Sequence, residues 1–183
     1  MRPRASAFIA TSLDGFIARA DGGLDWLDHA QALIPEGEDC GYLEFMASID
    51  GLVMGRHTFE RVLGFDPWPY GNTPVFVMSH APVAIPIALS KSAHSVQSTP
   101  ERLAAQLGRD AFRHLYVDGG QTIQGFLRAG LLDDITVTVI PVLLGAGRPL
   151  FGPLTRDVEL TLMRSRAYEF GFVQSTYRID VAD

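Results

Sequence analysis

The feature that most constrains this chain is a short apolar run closed by glycine on both sides, Leu52-Val53-Met54 between Gly51 and Gly55, with Arg56-His57-Thr58 directly after it. Consecutive apolar residues without polar alternation are buried on both faces, as in an interior strand of a parallel sheet. Parallel strands need crossover segments to bring the chain back, so helices must alternate with strands. A second junction repeats the design. Residues 115–117 read as a strand closed by Asp118-Gly119-Gly120, a helix is expected over residues 122–129 with Gly130 as its stop, and residues 135–140 form a strand ended by Pro141. Strand, glycine pair, helix and strand make one βαβ unit.

The remaining pattern agrees. Residues 5–12 read as a first strand ending at the turn Asp14-Gly15, with residues 16–18 as a brief extended continuation. Residues 19–37 are turn-rich, a length typical of functional lids, and Leu43, Met46 and Ala47 give residues 39–49 a helical spacing. A helix is expected over residues 58–62, a third apolar strand over 74–78, and a break at 82–86 where prolines occur. Residues 100–107 form a helix with Thr99 as N-cap and Pro100 in its first position. In the tail, Val158-Leu160-Leu162 and Phe170-Phe172 flank residues 164–168 as an antiparallel hairpin on a sheet edge. No linker or repeat divides the chain, so residues 1–183 are expected to form a single domain. Its expected fold is α/β, with a mostly parallel central sheet, an antiparallel C-terminal edge hairpin and helices on both faces.

Composition removes several function classes. Fifteen Lys and Arg against 21 Asp and Glu leave a net charge of −6, so no basic field exists to hold a nucleic-acid backbone and any anion site must be local. The one cysteine, Cys40, permits no internal disulfide and no Cys-cluster zinc site. His29, His94 and His114 show no metal spacing, so no metal is expected. The apolar run at residues 5–10 is too short for a signal segment, and none approaches the roughly 20 residues that span a bilayer. A cytoplasmic protein with no nucleic-acid or membrane partner is the expectation.

The two glycine junctions are where chemistry is expected. A helix N-terminus presents unpaired N–H groups and partial positive charge, and glycine lets a ligand approach the backbone. Arg56 adds a permanent fork of donors and Thr58 a hydroxyl. The alternative is that Gly55 and the glycine pair only make tight turns while Arg56 is a solvated charge. Two junctions in one sheet favour a dinucleotide, because open α/β sheets bind ligands at the C-terminal ends of their strands. Neither G-x-G-x-x-G after the first strand nor a P-loop occurs.

Four stretches together resemble the dihydrofolate reductase fold, and more closely the reductase domain of bifunctional riboflavin-biosynthesis deaminase-reductases. They are Thr11-Ser12-Leu13-Asp14-Gly15-Phe16-Ile17-Ala18, Leu52-Val53-Met54-Gly55-Arg56-His57-Thr58-Phe59-Glu60, Asp118-Gly119-Gly120 and Pro141-Val142-Leu143-Leu144-Gly145. The resemblance implies NADPH as cofactor, with Gly55, Arg56, His57 and Thr58 on its phosphates and Gly119, Gly120, Gln121 and Thr122 cradling the pyrophosphate. It places Ala10, Ile17 and Ala18 beside the nicotinamide and Ser79 and His80 near the 2′-phosphate. It also implies a homodimer and a small heterocyclic substrate, the leading case being reduction of a ribosylaminouracil such as 5-amino-6-(5-phosphoribosylamino)uracil.

Two acids are candidates for proton donation. Asp39 lies where folate reductases carry a pocket acid, and a buried carboxyl there would have a raised pKa. The sequence Glu36-Gly37-Glu38-Asp39 is equally an acidic N-cap and first helical turn. Asp14 is the second candidate, or an ordinary Asp-Gly turn. Residues 68–73 carry no cation where folate reductases hold the glutamate tail, which argues against folate. No clear second cationic cluster marks a ribosyl phosphate, and no deaminase zinc motif is present, so a stand-alone reductase is expected. Trp26, Trp68, Tyr42 and Leu43 could wall a flat heterocycle or simply fill the core. The rival functions are pterin reduction, a non-catalytic NADP-binding module, and a structural subunit pairing through its sheet edge.

Overall fold

The computed structural model describes residues 1–180. By its contacts the chain divides into two compact units, one of residues Met1–Ser6 and Ser48–Leu132, the other of Ala7–Ala47 and the chain from Asp133 onward. Strand β1 (Arg4–Ser12) contributes its first residues to the former and the rest to the latter.

In the first unit the apolar runs become β3 (Gly51–Gly55), β4 (Val75–Met78) and β6 (His114–Asp118), joined by β5 (Ala93–Val96) in the order β5-β4-β3-β6-β1. The pairs β1–β6, β6–β3, β3–β4 and β4–β5 are parallel, and the register sets Met54 beside Asp118. Leu52, Val53, Met54, Val75, Val77, Leu115 and Val117 are wholly buried, each strand side chain adding about 1.5–3 kcal/mol of burial. Three helices cover these strands: α3 (Arg56–Val62) packs on β3 and β4, α5 (Gly120–Arg128) on β6 and β3, and α4 (Pro100–Arg109) on α5. The Thr99 cap is present, its hydroxyl accepting the Arg102 N–H, with Pro100 in the first turn.

The second unit holds β2 (Phe16–Ala18), α1 (Asp25–Gln31), α2 (Tyr42–Ala47), β7 (Asp134–Ile140), β8 (Arg148–Pro149), β9 (Leu160–Ala167) and β10 (Val173–Ile179). Its order is β1-β7-β10-β9, with β10 antiparallel to both neighbours, and β2 pairs separately with β8. Mostly parallel strands with an antiparallel C-terminal edge are thus the observed sheet. Trp26, Ala30, Cys40, Ile140, Tyr168 and Phe172 form the core of this unit.

Four details differ from the sequence reading. The turn-rich segment 19–37 contains α1, whose Trp26 and Ala30, one helical turn apart, are both buried. Strand β5 occupies a stretch with no apolar run, because an outer strand exposes His94 and Ser95. The second arm of the hairpin is β10, while Phe170 lies in the connection before it and stacks on Tyr168 and Phe172. Helix α3 begins at Arg56, two residues before the expected start, so Arg56, His57 and Thr58 lie in its first turn.

Candidate functional site

The four distinctive stretches meet in pairs, one pair in each unit. In the first unit, the parallel pairing of β3 with β6 brings the turn at Gly55 alongside the turn at Gly119. Each glycine faces a threonine of the other junction. A Cβ on Gly119 would run into the Thr58 hydroxyl, and a Cβ on Gly55 would lie 3.1 Å from Thr122 Oγ1. Gly119 adopts φ 86°, ψ 133°, a conformation essentially closed to other residues. Among the described residues no side chain caps α5, which leaves its first N–H groups to a ligand, as an anion cradle requires. Gly120 is half-buried, Thr122 buried and Gln121 exposed.

Arg56 reaches from α3 to the loop after β4. Its Nε and Nη2 donate to Ser79 Oγ at 3.2 and 3.0 Å, and Nη2 also donates to the carbonyls of Ala81 and Pro82 at 3.0 and 3.3 Å. The guanidinium is therefore fixed in one orientation and is not a freely solvated charge. His80 is exposed, its carbonyl held by Gln97 Nε2 at 2.9 Å. His57 turns to solvent, with Nδ1 3.4 Å from Glu60 Oε2.

Asp118, at the end of β6, is a titrating group that sequence reading passed over as part of a turn. Its Oδ1 accepts the Gly119 N–H at 2.7 Å, and burial pushes its carboxyl up to about 6 against that bond and one from the Tyr116 hydroxyl. Its apolar neighbours Val53, Met54 and Val117 were the signal in the sequence.

In the second unit the stretches at 11–18 and 141–145 are stitched together. Leu13 N–H donates to the Val142 carbonyl at 2.8 Å and Leu150 N–H to the Gly15 carbonyl at 3.0 Å. Asp14 supplies the rest: Oδ1 accepts the Ser12 hydroxyl at 2.6 Å and Leu144 N–H at 3.2 Å, and Oδ2 accepts Gly145 N–H at 2.7 Å. These bonds, the Ser12 hydroxyl first, hold its carboxyl below the usual range. Ile17 and Ala18 lie on the β2 ribbon, and Ala10 is half-buried against the core of this unit.

The raised pKa expected at Asp39 is reversed. Asp39 accepts Leu43 N–H at 2.7 Å and Gly41 N–H at 2.9 Å, and these two bonds lower its pKa. It is the acidic cap of α2, the other reading its sequence allowed. Of the two readings of the aromatic residues, packing is the one the structure gives. Trp68 packs edge-on against Phe59 and Tyr70, Tyr42 against Phe8, and Leu43 is 72% exposed. Trp26 is buried, and its indole N–H has no partner among the described residues.

With this geometry in place, comparison with known proteins decides the family: the model of the RibD C-terminal domain matches residues 4–173. The chain belongs to the RibD C-terminal domain family. A solved protein of Shewanella sp. PV-4, named for riboflavin biosynthesis, shares 40% identity with this member, with 99% of this chain and 100% of the other covered and a TM-score of 0.90. The Thermotoga maritima diaminohydroxyphosphoribosylaminopyrimidine deaminase/5-amino-6-(5-phosphoribosylamino)uracil reductase superposes with a TM-score of 0.72 at 14% identity, covering 98% of this chain and 57% of its own. Dihydrofolate reductase from Enterococcus faecalis, complexed with NADP(H), gives 0.64 at 20% identity, with 97% of each chain covered. The RibD C-terminal chain thus has the dihydrofolate reductase-like fold its motifs implied. Among the described residues no cluster of His, Cys, Asp or Glu could hold a metal, and no helix is long and apolar enough to cross a membrane.

Proposed function

We propose that this protein is an NADPH-dependent reductase that transfers hydride to a nitrogen heterocycle, a 5-amino-6-(5-phosphoribosylamino)uracil-like ribosylaminouracil being the leading substrate. The observation that carries this reading is the interlocked pair of turns, Gly119 against Thr58 and Gly55 against Thr122, at the uncapped start of α5. A Cβ at either glycine would press on the other junction's threonine hydroxyl, so only glycines let the two turns pack this closely beside the α5 N–H groups, an arrangement that fits a pyrophosphate lying close to the backbone. NADPH, when bound, supplies the hydride.

The remaining roles fall to this chain's own groups. The N–H groups at Gly120, Gln121 and Thr122 hold the pyrophosphate, with Gly55, Thr58 and His57 beside the phosphates. Arg56, already oriented by Ser79, meets the 2′-phosphate together with Ser79 and His80. Asp14, held first by the Ser12 hydroxyl and then by backbone N–H groups, and Asp39, held by backbone N–H groups, both lie below the usual carboxylate range, so neither is assigned the donated proton.

The test is a fluorescence titration with NADPH and separately with NADH. NADPH is expected to bind more tightly, and Arg56→Ala to weaken NADPH by about 1–3 kcal/mol, the range of a charge-assisted contact, with little effect on NADH. Failure of both nucleotides to bind rejects the reading. Binding without oxidation of NADPH by any ribosylaminouracil or pterin favours the non-catalytic module.

A further inference from the structure

We infer that Asp118 is a built-in anion of the α5 cradle, and that a dinucleotide's pyrophosphate is captured together with a proton taken up by this carboxylate. The inference deepens the cofactor reading above and rests on it. Asp118 is the last residue of β6, in register with Met54 and directly before the glycine pair. Its Oδ1 lies 2.7 Å from the Gly119 nitrogen. The carboxylate thus occupies one of the backbone donors at the mouth of the turn that leads into α5, where an anionic ligand would compete for it.

Among the described residues, nothing charged on the surrounding elements neutralises it. Strand β3 has no ionisable side chain, and the only one on α5 is Arg128, its last residue. Arg4 of β1 pairs with His114, at the opposite end of β6. On α3, Arg56 is committed to Ser79 and two loop carbonyls, His57 and Glu60 face each other in solvent, and Arg61 lies in the last turn. The bonds that favour the ionised form come from the Gly119 N–H and the Tyr116 hydroxyl. Burial outweighs both and brings the carboxyl to about 6, close enough to neutrality for the charge of a neighbouring anion to make it take up a proton from solvent. Once protonated, Asp118 becomes an O–H donor, able to bond a phosphate oxygen that its ionised form repels. A single residue then changes from competitor to ligand as the cofactor arrives.

The experiment is calorimetric titration of the intact protein with NADPH at pH 6, 7 and 8, in buffers of different ionisation enthalpy, for the native chain and Asp118→Asn. The 2′-phosphate of NADPH titrates near pH ~6 itself, so the readout is the difference between the two proteins. The native protein is expected to take up more protons than D118N, and its affinity to fall by up to about tenfold per pH unit above pH 6 relative to the variant. At pH 8 D118N should bind NADPH at least as tightly, since its carboxamide oxygen can still accept the Gly119 N–H. Equal proton uptake and parallel pH profiles overturn the inference and leave the cofactor reading standing. Absence of NADPH binding to the native protein overturns both. If D118N does not fold, carbon-13 NMR titration of the native Asp118 carboxyl, with and without NADPH, decides. An apparent pKa unmoved by the cofactor rejects the inference.

Discussion

Asp39 engages two N–H groups of the turn that opens α2, and a carboxylate so placed serves the helix through both oxygens. Asp39→Ala is expected to cost about 0.5–2 kcal/mol in urea unfolding at neutral pH, whereas Asp39→Asn, which can still cap, should be nearly neutral in both stability and turnover. Because its folded pKa is lowered, the stabilisation is present above the unfolded carboxylate range. It is lost as pH falls through the folded value, so the alanine penalty should shrink in acid. Asp118 has the opposite sign, being raised by burial. Its carboxyl therefore opposes folding as pH rises through about 6, and its protonated form costs nothing below the unfolded value. Chain position told the two acids apart no better than composition did. Both have glycine within two residues, and only the number of N–H groups aimed at each, against the depth of apolar cover, separates them.

At the scale of elements, the entry to α5 is fixed by Gly119 and its partner Thr58. Gly119→Ala combines a disallowed φ with a collision against the Thr58 hydroxyl, and is expected to destabilise by about 1–3 kcal/mol and to abolish NADPH binding. Gly130→Ala is the control, with φ 64° and nothing within 4 Å of the added Cβ. Thermal unfolding and nucleotide titration of the two variants separate backbone strain from loss of the cradle. A Gly130→Ala protein as impaired in binding as Gly119→Ala would refute the local account. Strands β3 and β6 were legible because both faces are buried and the residues show it. The outer strand β5 was not, since half its side chains meet solvent, and α1 was hidden by Gly22, Gly23 and Pro35 around a single short helix.

At the scale of the whole molecule, β9 ends the strand order among the described residues, with β10 beside it, and Leu160, Leu162 and Met163 on it are 43%, 54% and 59% exposed. An unpaired, apolar edge is a pairing surface. We propose that it carries the homodimer implied by family resemblance. Analytical ultracentrifugation is expected to give twice the chain mass, and Leu162→Lys with Met163→Lys to give the monomer; a dimer unaffected by both changes would place the interface elsewhere. The sequence by itself determined the alternation of buried strands with helices and the two glycine junctions, because apolar runs and glycines act over a few residues and leave their mark in order. Only the tertiary structure decided that Thr58 and Thr122 each close on the other junction's glycine, that Asp14 ties residues 144 and 145 to the first turn, and that Asp118 is the carboxyl whose charge is costly. Those outcomes depend on partners tens of residues away, which strand register sets and local pattern does not record.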